Sequence, residues 1–139
     1  MKKNNRGFTL IELMLVVIII GVLGAVVIPR FVGRAKEAKI AAAKAAVNNN
    51  LAVALDLYEM DNGFYPGTDQ GIEALKTKPS SSPAPQNWRG PYIKKKTIDP
   101  WGNLYIYVSP GIHNDDYDLY SYGPDGADGG GDDVTNWEE

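Results

Sequence analysis

Residues 8–28, FTLIELMLVVIIIGVLGAVVI, form a run of twenty-one in which only Thr9 and Glu12 are polar beyond glycine. About 20 apolar residues are what a helix needs to cross a bilayer, so the run predicts a spanning helix. A cleaved secretory signal is the rival reading, but its apolar part measures only about 7–15 residues and ends at small residues. Here the run is longer and leads into Pro-Arg-Phe-Val-Gly-Arg, although Leu23-Gly24-Ala25 keeps the rival open. Lys2, Lys3 and Arg6 precede the run, and the positive-inside rule then leaves the N-terminus in the cytoplasm.

Beyond Pro29 the apolar residues thin out and become periodic. Phe31, Ala35, Ala38, Ala42, Ala45, Val47, Leu51, Leu55 and Tyr58 recur at spacings of mostly three and four, with Arg34, Lys36, Glu37, Lys39 and Lys44 mainly between them. No strong stop signal appears before Asp61-Asn62-Gly63, so one helix is predicted over 8–58. Gly21, Gly24 and Pro29 are its weak points, since proline cannot donate to the carbonyl four residues back.

The rest reads as a small mixed domain. GTDQGIEALKT offers Thr68 or Asp69 as the cap of a short helix with Ile72 and Leu75 inward, and KPSSSPAPQNWRGP reads as a loop. NLYIYVS and YDLYSYG read as two strands of a hairpin with a long connection. Packed on the Val47-Leu51-Leu55-Tyr58 face, they predict an α+β fold, a small antiparallel sheet on a long N-terminal helix.

Charge divides the chain. Residues 1–50 carry eight Lys/Arg against two acids, and the remainder six against fifteen. From His113 onward there are nine acids and no base, which repels nucleic acid and attracts cations. With no cysteine and one histidine, lying in the acidic loop GIHNDD, the sequence offers no nucleophile–base constellation, and no enzyme is expected.

SYGPDGADGGGDDVTNW sets Asp125, Asp128, Asp132 and Asp133 among glycines. Calcium takes about six to eight oxygens from carboxylates and carbonyls, and this composition supplies both kinds. The spacing matches neither an EF-hand loop nor a calcium β-roll repeat, so a flexible solvated terminus remains the alternative. Val134 and Trp137 are apolar anchors just beyond, and a chain without disulfides needs another staple.

GFTLIELMLVVIIIGVLGAVVIPRF resembles the class III signal and N-terminal helix of the type IV pilin-like superfamily. YEMDNGFYPGTDQGIEAL, NWRGPYIKK, DPWGNLYIYVSPG and YDLYSYGPDGADGGGDDVTNW resemble one branch of it, the major pseudopilins of type II secretion, the general secretion pathway protein G family. The resemblance implies a leader at 1–7, removed by a prepilin peptidase between Gly7 and Phe8, with Phe8 then N-methylated. It implies a transmembrane and filament-core helix at 8–29. The periplasmic head would occupy 30–139, including the amphipathic half of the helix and a C-terminal calcium loop.

It further implies a homo-oligomeric helical filament at the bacterial inner membrane that supports export of folded proteins across the outer membrane. Minor pseudopilins and the inner-membrane secretion platform would be its partners. The loop's ligands would fall on the side chains of Asp125, Asp132 and Asp133 and on carbonyls near Tyr122 and Ala127. Here Gly129-Gly130 reaches DVTNW in fewer residues than is usual in that family.

Glu12 keeps two readings. A carboxylate in lipid needs a cationic partner. The amine of Phe8, four residues away, or that of a neighbouring protomer would serve, and in the family the second is the assembly role. Alternatively Glu12 lies shallow and complements the positive end of its own helix. A type IV pilin for adhesion or motility and a membrane-tethered calcium-binding module are the alternative functions. Against the pilin stands the missing C-terminal disulfide loop, and a neighbouring secretin and secretion ATPase would argue against the module.

Overall fold

The computed structural model describes residues 7–137, apart from the side chains of Pro29 and Arg30; all of the expected leader 1–7 but Gly7, with Lys2, Lys3 and Arg6, lies outside them. Two compact units divide the chain, Met1–Glu37 and Ala38–Glu139.

Helix α1 (Leu10–Ala45) begins where a threonine and a glutamate cap one another, described below, and continues as helix through position 29. Its apolar side chains are bare: Leu10 is 79 % exposed, Ile20 63 % and Ile28 63 %. An apolar surface of this size is stable only against lipid or other apolar helices.

In the unit 38–139 a π-helical turn (Ala46–Asn50) separates α1 from α2 (Leu51–Asn62). The core residues explain it. Ala43, Val47, Leu51 and Leu55 are all buried and follow at intervals of four. Each such step overshoots a full α-helical turn by about 40°, so three in a row would carry the stripe off the core. A wider turn takes up the excess, and it falls on the Asn48-Asn49-Asn50 run, where helix propensity is poor.

The first part of the expected stripe is corrected: Phe31, Ala35, Ala38, Ala42 and Ala45 are exposed, and burial begins with Ala43 and the half-covered Ile40. Alanines occupy several faces of this stretch, so their spacing carries no direction; Ile40 and Val47 choose the face. The helix also runs four residues past the expected end at Tyr58. Asn62 Nδ2 donates to the Tyr58 carbonyl at 2.9 Å, and Gly63 ends the helix with φ of 83°.

No side chain caps the next short element, a 3₁₀ turn at Ile72–Leu75, contrary to the expected Thr68 or Asp69 cap. Thr68 is used elsewhere: its Oγ1 donates to the Ser109 carbonyl at 3.0 Å and accepts from the Ser109 N–H at 2.9 Å. Ile72 and Leu75 do point inward.

Strands β1 (Ile106–Val108), β2 (Asp118–Ser121) and β3 (Val134–Thr135) form one antiparallel sheet in the order β1-β2-β3. The hairpin matches expectation, with Tyr107 opposite Leu119; β3, paired through Ser121–Val134, was not foreseen. Tyr105 and Tyr107 form the buried face of their segment, while Leu104 is exposed. Buried phenols need partners, and Tyr107 donates to the Pro66 carbonyl at 2.8 Å. Val47, Leu51, Leu55, Tyr58, Leu119 and Val134 belong to one buried cluster, as the helix–sheet packing predicted. Burying side chains such as Leu55 and Leu119 contributes about 1.5–3 kcal/mol each.

Candidate functional site

Two constellations carry polar chemistry, one in each unit. The first is the start of α1. The Thr9 N–H donates to Glu12 Oε2 at 3.4 Å, and the Glu12 N–H donates to Thr9 Oγ1 at 3.3 Å. This is a capping box: two backbone donors left over at a helix start are satisfied reciprocally by a Thr-x-x-Glu pair. TLIE carries that signature in the sequence, with Thr9 as important to it as Glu12. Gly7 and Phe8 stand exposed immediately before it, and a Cβ on Gly7 would meet nothing within 4 Å.

The second constellation is the acidic loop between β2 and β3. Asp125 Oδ1 accepts from the Ala127 N–H at 2.9 Å, and Asp132 Oδ2 accepts from the Asp125 N–H at 3.4 Å. Asp133 Oδ2 accepts from the Gly129 N–H at 2.9 Å, whereas its Oδ1 is buried with no hydrogen-bond partner. A Cβ on Gly130 would lie 3.1 Å from Asp132 Oδ1 and 3.3 Å from Asp125 Oδ2, so both oxygens face that glycine. Gly123, at φ of 71°, packs so closely on the Asp132 carbonyl that any side chain there would collide with it.

Of the expected ligands, Asp125 and Asp132 are thus brought together at Gly130, while Asp133 reaches Gly129 in the same loop. Yet among the described residues no three acidic or histidine side chains converge as a metal-binding group. The donor chemistry fits a hard cation such as calcium: oxygens only, two facing one glycine, and a buried carboxylate oxygen lacking a partner. A cavity of about 280 Å³ adjoins, lined by Lys44, Asn48, Asp133, Thr135 and Trp137 among others.

A further cluster, centred on Asp118, holds the one histidine, His113. Asp118, 2 % exposed, accepts the backbone N–H groups of Ile112, His113 and Asn114, with Oδ distances of 2.7, 2.9 and 2.9 Å. The His113 ring contacts it through Nδ1 at 3.0 Å. Burial by itself raises a carboxyl's pKa, but these hydrogen bonds outweigh it and hold Asp118 below the ordinary range. Nothing in the spacing of GIHNDDYD distinguishes Asp118 from Asp115 or Asp116; only the fold does.

Residues 30–137 match the family described as Type II secretion system (T2SS), protein G, and residues 2–28 match the prokaryotic N-terminal methylation motif. The chain belongs to the type II secretion system protein G family. The core protein G of Pseudomonas aeruginosa is 47 % identical over 141 residues, covering 99 % of this chain and 98 % of that one. That of Escherichia coli K12 is 47 % identical over 137 residues, covering 96 % and 92 %. Among solved structures, the major pseudopilin from the type 2 secretion system of enterohaemorrhagic E. coli is similar with a TM-score of 0.63 and 38 % identity, over 76 % of this chain and 92 % of that one. The resemblance read from the sequence motifs is thereby borne out, as is the α+β pseudopilin fold. The methylation motif and the exposed apolar helix of this protein G family member fit a membrane-anchored chain.

Proposed function

We propose that this chain is the structural subunit of a pseudopilus, stored in the inner membrane and polymerised into a periplasmic filament that supports export of folded proteins. The observation that carries the reading is the bare apolar helix, whose large apolar side chains from Leu10 to Ile28 are all exposed. Packing many such helices side by side in a filament removes that surface from both water and lipid. A prepilin peptidase would cut between Gly7 and Phe8, where the chain is exposed and a larger side chain at Gly7 would disturb nothing within the subunit. A block by such a side chain would then lie in the peptidase. Orientation follows from charge: the N-terminus stays cytoplasmic and 38–139 is periplasmic. Minor pseudopilins and the inner-membrane platform are the partners this role requires.

Asp125, Asp132 and Asp133, with carbonyls near Tyr122 and Ala127, would hold calcium in the loop. The ion would supply positive charge where three carboxylates otherwise repel one another. Carboxylates and glycine-freed carbonyls are this chain's own contribution. Electron microscopy of filaments released from membranes, with mass spectrometry of their subunit, tests the proposal. The expected result is a filament whose subunit begins at a methylated Phe8. Membrane-embedded chains that never polymerise, or a different N-terminus, would overturn it.

A further inference from the structure

β3 is two residues long, and only Tyr120–Thr135 and Ser121–Val134 pair it to β2. So short a strand holds the end of the acidic loop weakly. The residues just beyond it add the grip. The Asn136 N–H donates to the Leu119 carbonyl at 3.0 Å, and Asn136 Oδ1 accepts from the Leu119 N–H at 2.9 Å. Trp137 then lies face to face on His113, with ring centroids 4.0 Å apart and planes 2° from parallel, and meets Tyr120 edge-on at 5.3 Å.

His113 cannot turn freely. An ionised carboxylate only accepts, so Nδ1, 3.0 Å from Asp118 Oδ2, carries the proton, and this bond fixes both tautomer and ring plane. Asp118 itself is immobilised by three backbone donors. A chain of contacts thus runs from the β1–β2 connection through an oriented imidazole to the indole that ends the loop segment.

We infer that His113 is a positioning residue for the acidic loop: oriented by Asp118, it clasps Trp137 and holds 122–133 in the closed form that a calcium ion would occupy. The inference rests on the calcium reading above, in which the imidazole is not one of the ligands. The clasp and the ion stabilise the same closed loop, so each strengthens the other by an equal factor. Loss of one stacked aromatic pair weakens calcium binding about two- to tenfold.

The test uses the full chain in detergent micelles, titrated calorimetrically with calcium chloride, alongside hydrogen exchange at Val134 to Trp137. His113→Ala is expected to weaken calcium binding within that range and to speed exchange at Asn136 and Trp137, with and without calcium. His113→Phe, which keeps the stack and loses the Asp118 bond, should recover part of the affinity; Trp137→Leu, which removes the stack from the other side, is the second variant should His113→Ala fail to fold, and is expected to weaken calcium binding within the same range. Asp115→Ala, in the same connection but outside these contacts, should bind as the parent does. Parent and His113→Ala chains with equal calcium affinity would overturn the inference while leaving the calcium reading standing, even if the variant melts lower. A parent chain that takes up no calcium would overturn both.

Discussion

Ser121 Oγ donates to Asp99 Oδ2 at 2.6 Å, and both residues are buried. The other Asp99 oxygen accepts the N–H groups of Trp101 and Asn103 at 3.0 and 2.8 Å, closing the DPWGN turn. Ser121 Oγ in turn accepts from the Gly123 N–H at 3.1 Å, where the acidic loop leaves β2. One carboxylate thus ties a distant turn to the root of the loop. Asp99→Ala strands the buried Ser121 hydroxyl and removes the acceptor of two part-buried N–H groups, and the expected loss is about 2–3 kcal/mol. Ser121→Ala removes fewer bonds and should cost about 1 kcal/mol. Urea unfolding of the two variants, followed by tryptophan fluorescence, would contradict the assignment if Ser121→Ala proved the more damaging.

Acid should act through Asp118. Its folded pKa lies below the ordinary value of 3.8, so the group contributes stability that is present above that value and disappears as pH falls through the folded one. Asp118→Asn cannot ionise and should lose about 1–3 kcal/mol at neutral pH. Melting temperatures measured down an acid series should therefore converge between parent and variant. A constant gap at every pH would assign the loss to shape instead of charge.

At the alkaline end the sign reverses. Burial raises Tyr105 and Tyr117 to about 12, chiefly by removing the phenolate from water, with Asp99 and Asp56 respectively adding repulsion. Both phenols contribute stability that is complete below the unfolded value of about 10 and is lost as pH rises through the folded one. Tyrosinate absorbance should rise together with unfolding. Two early-titrating phenols at these positions, in a chain still folded, would refute this account.

The capping box separates two roles of Glu12. Glu12→Gln keeps an acceptor for the Thr9 N–H, so the start of α1 should persist, whereas Glu12→Ala removes it at a cost of about 0.5–2 kcal/mol to the helix start. If the charge recruits a neighbouring protomer's amine, both variants should yield few filaments although membrane insertion is kept. Filament yield that follows helix capping, normal in Gln and reduced in Ala, would leave Glu12 as a cap alone.

How much of this was written plainly in the sequence varies with the kind of signal. The membrane-length run, the Val47-Leu51-Leu55-Tyr58 face and the β1–β2 hairpin rest on periodicity, which local sequence records. β3 escaped notice because two residues carry no period, and Val134 is a strand only by virtue of Ser121 opposite it. The loop's aspartates were visible as composition. Which oxygen is left over, Asp133 Oδ1, depends on a backbone path that composition does not specify. The role of His113 is not legible in GIHNDD because the ring it stacks on, Trp137, lies at the far end of the chain.

The buried core opens at Ala43 and closes at Val134, and no residue of 8–28 belongs to it. Exchanges among Val, Ile and Leu within that run therefore leave the folding of 38–139 untouched, while altering how tightly the run adheres to whatever surrounds it. Substitutions at Tyr58 or Leu119 do the opposite. Heritable variation can accordingly retune adhesion without risking the globular unit, and a lineage that needs a looser or firmer polymer can reach one through single neutral-to-fold steps.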